Sequence, residues 1–377
     1  MPDKSVFIVL PVLLAGGTEI QTLSLVGVLV DDGYRVTVGC SYEYDQGMVS
    51  KYRAAGAEVL LMRHTRQEGL VRLFQALVRL FATRKPDIVH VQYLAPGLVP
   101  ILAARVAGCR TVFASVHYPG ETFGGRERLM LRAAARLCSA FTCNSRAVER
   151  SWFGVNPSGI AGDGGRRGRR TIYNCVDLVA VERATGGADR EALCRDLGVG
   201  GRRVVGVVGR LREEKGQERL MAAIPGIAAE VPETVLLVVG DGPDRDRLRA
   251  ATERLRITDR VVWAGERPHD ETLALYSIMD LVAVPSRYEG FSLAAAEAMA
   301  AGRPVVAAAV GGLTEVVEDG VTGYLVPGGG SFSGPITKIL GDAELARALG
   351  SAGRARVERL FSPERYRDEI RTLYAPR

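Results

Sequence analysis

Short unbroken runs of Val, Ile and Leu punctuate the chain: SVFIVL, RVTVGC, DIVHV and RTVFASV in the first half, RRVVGVVG, TVLLVVG, DLVAVPS and RPVVAAAV in the second. They do not alternate apolar with polar residues in the manner of a half-exposed strand. Each therefore predicts a strand buried on both faces, as in a parallel sheet. Between the runs lie stretches with helical spacing, such as LFQALVRLFATR and RERLMLRAAARLC. Strand, loop and helix in repeated order predict βαβ units and an α/β fold.

The rhythm breaks once. Residues 156–170, NPSGIAGDGGRRGRR, are rich in Gly, Pro and Arg and predict an exposed loop. A second strand–helix series starts near Arg202. The break predicts two similar domains, 1–180 and 200–361, joined by a linker at about 177–200. Ligands are expected in a cleft between them, beyond the carboxyl ends of the strands. A chain of 377 residues is long enough for two such cores. The terminal segment 362–377, SPERYRDEIRTLYAPR, predicts an amphipathic helix with Ser362 as N-cap and Pro363 in the first helical position. Tyr366, Ile370 and Leu373 form its apolar side.

Composition bounds the class. Hydrophobic residues at 47% and charged residues at 24% are ordinary for a globular protein. The six cysteines are scattered without a C-x-x-C pair, which favours reduced thiols over zinc or a disulfide framework. The apolar VFIVLPVLLA near the start is ten residues long and lacks a small-residue cleavage site, so it predicts a first strand rather than a signal peptide. No apolar run is long enough for a bilayer span. The expected location is cytoplasmic.

Charge is uneven: residues 1–180 carry a net +8 and the remainder −2. A basic first half fits either a solvated surface or an anionic partner such as a lipid headgroup. The stretch GLVRLFQALVRLFATRK sets Arg72 and Arg79 on one face, with Arg84 and Lys85 at its end. It reads as a helix lying on a membrane surface or, preferably, as a domain helix with its apolar side buried. Peripheral contact with the inner membrane surface through the basic first domain is one expectation; a nucleic-acid partner is not expected.

The richest chemistry lies in RYEGFSLAAAEAMAAGRPVVA, residues 287–307. DLVAVPS predicts a strand and LAAAEAMAA a helix stopped by Gly302, so Glu289, Gly290, Phe291 and Ser292 form the loop between them. Free amides and the positive end of the helix make such a place an anion site. Gly290 is expected to provide the tight turn. Glu289 reaches from the loop, and Glu297 lies inside the helix, able to accept two hydroxyl hydrogens as a ribose diol requires. The segment VVGRLREEKG adds Arg210 at the end of a strand and Lys215 in its loop, two cations that can neutralise a diphosphate without a metal.

GRLREEKG, PSRYEGFSLAAAEAMAAGRPVVA and GGLTEVVEDGVTGYLV, in that order, resemble the donor half of the retaining glycosyltransferases of family 4, which have the GT-B fold. The family signature E-x-x-x-x-x-x-x-E is matched by Glu289 and Glu297. VVGDGPDRDRLR, VVWAGERP, NSRAV and YNCVD extend the likeness over nearly the whole chain. The resemblance implies two Rossmann-like domains facing across a cleft, with the C-terminal helix crossing back to the first. It implies that Arg210 and Lys215 hold the nucleotide diphosphate, that Glu297 binds the ribose hydroxyls and that Glu289 contacts the transferred sugar. Backbone groups of Gly290, Phe291, Ser292 and Leu293 line the phosphate and sugar. Gly16 and Gly17 match the glycine loop near the diphosphate and acceptor, and His117 matches a histidine near the far side of the sugar. Two residues depart from the family pattern: Tyr118 follows His117 where an acid is common, and Cys175 stands where Gly is commoner.

The implied reaction is front-face transfer from a nucleoside-diphosphate sugar to a hydroxyl acceptor, with retention and without a cofactor. The family's commonest donor carrier, uridine diphosphate, is the preferred one. The acceptor is a small metabolite, a saccharide or a lipid-linked sugar. Asp244 and Asp246 form a D-x-D, but at a helix start, where Asp suits the first turn better than a metal. His64, His90 and His269 have no neighbours in sequence that would make a metal set. A sugar-nucleotide epimerase and a non-catalytic partner subunit are the rival readings. A nicotinamide dehydrogenase is excluded because neither VLLAGGTEIQ nor GDGPDR has the G-x-G-x-x-G spacing.

Overall fold

A computed structural model describes residues 4–14, 16–92, 98–154 and 168–375. The chain divides into two units, Met1–Cys175 with Tyr366–Arg377, and Val176–Arg365.

In the first unit the apolar runs become β1 (Ser5–Leu10), β2 (Arg35–Cys40), β4 (Ile88–Gln92) and β5 (Thr111–Val116), joined by the shorter β3 (Glu58–Leu61), β6 (Ala140–Cys143) and β7 (Gly168–Thr171). All pair in parallel, in the order β3-β2-β1-β4-β5-β6-β7. The pleat of β1 shows why its run is continuously apolar. Val6, Ile8 and Leu10 join the core beneath α1 (Gly17–Asp31) and α2 (Gln46–Ala54). Phe7 and Val9 join the core beneath α3 (Gly69–Arg84), α4 (Leu98–Val106), α5 (Gly125–Leu137) and α6 (Arg146–Phe153).

Two expectations are corrected here. The Arg-rich segment predicted as a loop ends in β7, whose Gly168 and Arg169 pair with Ala140 and Phe141 of β6. Charged side chains are tolerated there because β7 is an edge strand. Residues 156–167 of that segment lie outside the described residues. The expected linker at 177–200 is instead folded into α7 (Leu178–Gly186) and α8 (Arg190–Asp196). Asp177 and Asp189 cap them, each accepting from the backbone N–H of Ala180 or Ala192 at 2.9 Å.

The second unit holds β8 (Arg203–Val208), β9 (Thr234–Val239), β10 (Val261–Gly265), β11 (Leu281–Val284), β12 (Val305–Ala308) and β13 (Gly323–Val326). Its order is β10-β9-β8-β11-β12-β13. The helices after α8 are α9 (Gln217–Glu230), α10 (Arg245–Arg254), α11 (His269–Leu275), α12 (Leu293–Ala300), α13 (Leu313–Val316), α14 (Ser333–Gly341), α15 (Ala343–Leu360) and α16 (Pro363–Tyr374). In both sheets the strand order reverses beside the first strand, between β1 and β4 and between β8 and β11. Such switch points are where parallel α/β sheets bind ligands.

Within α16 the chain returns to the first unit, and Tyr366, Ile370, Leu373 and Tyr374 are buried in the core beneath α1 and α2. Among the described residues no helix is long and apolar enough to cross a membrane. All six cysteines are free, four of them buried.

Candidate active site

At the second switch point β8 and β11 run side by side, Val205 opposite Leu281, so their carboxyl-end loops are neighbours. Hydrogen bonds tie the loops together: the Arg287 amide donates to the Glu214 carbonyl at 2.8 Å, and Arg219 Nη1 donates to the Pro285 carbonyl at 3.2 Å. Between them Gly216 is left-handed, φ 66°, and a Cβ there would collide with the Pro285 carbonyl. Glycine therefore allows the close approach that presents Lys215 to the second loop.

Lys215 Nζ donates to Glu289 Oε2 at 2.8 Å, and Ser286 Oγ donates to the same oxygen at 3.1 Å. The Glu289 side chain is mostly enclosed and Lys215 half-buried. Arg210 is exposed at the end of β8, its guanidinium without a hydrogen bond or ion pair among the described residues; its carbonyl accepts from Gln217 Nε2 at 3.0 Å.

In the loop that carries Glu289 the left-handed residue is Ser292, at φ 80° and ψ 91°. Its side chain caps α12 by accepting from the Ala295 amide at 3.3 Å. Gly311 and Gly312 press against the Glu289 and Gly290 carbonyls, where any Cβ would collide, and the Gly312 amide donates to the Glu289 carbonyl at 2.9 Å. Buried Phe291 anchors the loop edge-to-face on Phe361, centroids 5.0 Å apart. Leu293 then opens α12 with its first-turn amides aimed back along the axis.

Glu297 lies one turn into α12 and is buried. Its Oε1 accepts from His269 Nε2 at 2.9 Å and its Oε2 from the Tyr276 hydroxyl at 3.2 Å. Sequence reading missed both partners. His269, passed over as isolated, opens α11 and meets Glu297 only through the fold. Burial, then Glu297, pushes the Tyr276 phenol well above its usual range, so it stays a donor. Two donors on two oxygens leave lone pairs on the carboxylate for further hydroxyls.

In the first unit, Gly16 caps α1 in an extended conformation and Gly17 begins the helix. His117 follows β5, and its Nε2 lies 2.9 Å from Gln92 Oε1. An amide oxygen only accepts, so that nitrogen carries the proton and Nδ1 is the accepting nitrogen. The Gln92 amide nitrogen faces His90 Nε2 at 3.3 Å, while Ser115 Oγ faces the same nitrogen at 2.8 Å and the Tyr374 hydroxyl lies 2.6 Å from His90 Nδ1. Burial lowers His117 to about 4 and His90 to about 3, so both are neutral at pH 7. The two histidines line a polar cavity of about 30 Å³, whose floor includes Tyr366 and Ile370.

Asp244 stands just before α10 and pairs with Arg247 at 2.9 Å, and Asp246 lies in the first turn. Among the described residues no three His, Cys, Asp or Glu side chains converge as metal ligands. The structure thus brings together Lys215, Glu289, Ser292 and Glu297 on adjoining loops and the helix between them, with Arg210 at the neighbouring strand end.

Family models match two stretches: "Glycosyltransferase Family 4" over residues 15–160 and "Glycosyl transferases group 1" over 189–356. Among curated proteins, the 2-deoxystreptamine N-acetyl-D-glucosaminyltransferase of Streptomyces fradiae is 31% identical, covering 87% of this chain and 82% of its own. The GDP-mannose-dependent alpha-(1-6)-phosphatidylinositol monomannoside mannosyltransferase of Mycolicibacterium smegmatis is 35% identical, covering 71% of each. Among solved structures, Anabaena HepE in complex with UDP aligns with TM-score 0.77 and 25% identity over 97% of this chain and 98% of its own.

Proposed function

The chain belongs to the family 4 glycosyltransferases, an enzyme family of GT-B fold, and from that membership we propose that it moves a sugar from a UDP-sugar to a hydroxyl acceptor, with retention and without a metal. The observation that carries this reading is the Lys215–Glu289 pair at the switch point, beside the start of α12.

Lys215, Arg210 and the α12 amides take the diphosphate. As the bond from sugar carbon to phosphate oxygen breaks, its electron pair passes to the diphosphate, and these groups offset the charge where it builds. Glu289 holds a hydroxyl of the transferred sugar through its remaining lone pairs. Glu297, held by His269 and Tyr276, accepts the ribose diol. His117 is neutral, and the resemblance gives it a place near the far side of the sugar. Gly16 and Gly17 supply a close backbone approach. The resemblance to the retaining family supports front-face transfer, in which the acceptor oxygen bonds to the sugar carbon on the face the phosphate leaves and its proton passes to that phosphate.

The UDP carrier is supported by the HepE complex, and the GDP-mannose dependence named for the mycolicibacterial relative makes the base the point to measure. Both curated relatives' names put a cyclitol or its lipid-linked form on the acceptor side, which supports a polyol acceptor here. The basic first unit is read as the side that meets a membrane surface.

Calorimetry with UDP, GDP and ADP, followed by incubation with UDP-glucose, UDP-N-acetylglucosamine and GDP-mannose, tests the donor. We expect tightest binding of UDP and slow release of the sugar as the α anomer. Unchanged UDP affinity in both Arg210→Ala and Lys215→Ala overturns the donor site, and no release from any donor favours a non-catalytic subunit.

A further inference from the structure

Three adjacent strands of the first sheet, β4, β5 and β6, interrupt their apolar runs with His90, Gln92, Ser115 and Thr142. His90 and Gln92 are two apart on β4 and so share a face. Strand register sets Gln92 beside Ser115, and Ser115 beside Thr142. All four are buried, which costs stability unless each finds a partner. They find one another, in a chain that runs from the C-terminal helix to His117.

At its far end the Tyr374 hydroxyl of α16 lies 2.6 Å from His90 Nδ1, while the Tyr374 and Phe113 rings pack on the imidazole with centroids 6.0 and 5.9 Å away. His90 Nε2 faces Ser115 Oγ at 2.8 Å and the Gln92 amide nitrogen at 3.3 Å. The other end of that amide, Oε1, lies 2.9 Å from His117 Nε2. One amide between two imidazole nitrogens imposes a rule. Its nitrogen only donates and its oxygen only accepts, so His90 Nε2 is bare and His117 Nε2 carries a proton. In neutral rings the second nitrogen takes the opposite state. His90 therefore donates from Nδ1 to the Tyr374 oxygen, and His117 Nδ1 is the accepting nitrogen. Ser115 donates to His90 Nε2 and accepts from Thr142 Oγ1 at 2.6 Å. Turning the amide over would reverse both tautomers together.

Fixed charge does not make this choice. Among the described residues that line the cavity there is no Asp, Glu, Lys or Arg, and burial keeps its Cys143 thiol and Tyr366 phenol protonated. We infer that Gln92 is a positioning residue for His117: backed by His90 and Tyr374, it fixes which imidazole nitrogen of His117 carries the proton. The consequence for sugar transfer rests on the function proposed above; the tautomer itself does not.

The test is a long-range 1H–15N correlation spectrum of the full chain labelled at its four histidines, at pH 7 and without donor, assigned from His90→Gln and His117→Gln. His117 is expected bare at Nδ1 and His90 bare at Nε2. Tyr374→Phe keeps the ring and removes the acceptor of the His90 Nδ1–H, and should move His117 toward its Nδ1–H tautomer by about tenfold. Gln92→Leu cuts the chain, and adding Tyr374→Phe to it should change His117 less than about twofold. A packing role alone would move neither tautomer. Both histidines in the same tautomer in the parent chain, or a His117 that ignores Tyr374→Phe while Gln92 is present, overturns the inference. With a working donor, Tyr374→Phe should lower kcat for sugar release about tenfold and leave KM and UDP affinity within about threefold. A reversed tautomer with the parent kcat overturns the positioning role. Absence of sugar release from the parent chain would count against the proposed function instead, and the spectra would still decide the tautomers.

Discussion

Lys215 and Glu289, 74 residues apart in sequence, meet at 2.8 Å across the two loops of the switch point. The pair is half-buried, with Ser286 on the same carboxylate oxygen. It sets a cation at the mouth of the α12 amides and fixes the carboxylate beside it.

Replacing Lys215 with Ala removes a charged hydrogen-bond donor from the diphosphate site, and UDP affinity should fall by about 1.5–3 kcal/mol, roughly 10- to 100-fold. Glu289→Gln keeps the shape and should leave UDP affinity within about threefold while lowering sugar transfer by more. Calorimetry with UDP and a transfer assay separate the two. A Glu289→Gln variant that loses UDP affinity as badly as Lys215→Ala would place Glu289 on the nucleotide instead.

The second carboxylate makes a sharper distinction. Glu297 is buried with His269 and Tyr276 as donors. Tyr276→Phe removes one of them and should cost about 1 kcal/mol of stability. If Glu297 receives the ribose, that variant and Glu297→Gln weaken UDP binding but leave inorganic pyrophosphate binding unchanged. Parallel titrations with both ligands check this, and equal losses would move Glu297 from ribose to phosphate.

Much of this was legible in the sequence because burial writes itself into composition. A strand covered on both faces has little room for polar residues, so β1, β8, β9 and β11 read as solid apolar runs. The DLVAVPS and LAAAEAMAA runs likewise placed Glu289 in a loop and Glu297 one turn into a helix. What escaped was non-local or shaped by neighbours. His269 and Tyr276 reach Glu297 from 28 and 21 residues away, a distance no local pattern bridges. The left-handed conformation falls on Ser292, in a loop whose Glu289 and Gly290 carbonyls lie against Gly311 and Gly312. β7 was hidden by its arginines, which an edge strand tolerates. α7 and α8 had a readable signal, Asp177 and Asp189 as caps, which the glycines around them obscured.

Acid should loosen the first unit before it touches the second. His90 and His117 are held by burial at about 3 and about 4, below the ordinary 6.5. Between those values and 6.5 the unfolded chain binds protons that the folded chain refuses, so stability rises with pH across that window and falls as pH drops through it. At pH 5 His90 alone costs about 2 kcal/mol relative to pH 7. His90→Gln should flatten the slope of unfolding free energy against pH by about one proton. Urea melts at pH 7, 6 and 5 measure it; a slope unchanged by the substitution would mean that His90 titrates normally.

Ser292 is left-handed and also the cap of α12, and substitutions separate these two duties. Glycine adopts φ 80° freely but has no hydroxyl, whereas alanine neither caps nor escapes the strain. Ser292→Ala should therefore destabilise by about 1–2 kcal/mol and Ser292→Gly by less, the positive φ widening the preference for glycine over alanine that a helix start already has. Gly312→Ala acts on the same loop from outside: its Cβ would strike the Gly290 carbonyl, which must move and take Glu289 with it. The expected outcome is a fall in UDP affinity for Gly312→Ala larger than its fall in melting temperature implies, because the loop shifts while the α12 core stays packed. Calorimetry and thermal unfolding on the three variants check the order, and parent-like UDP binding by Gly312→Ala would show that the loop is not held in place by the glycine pair.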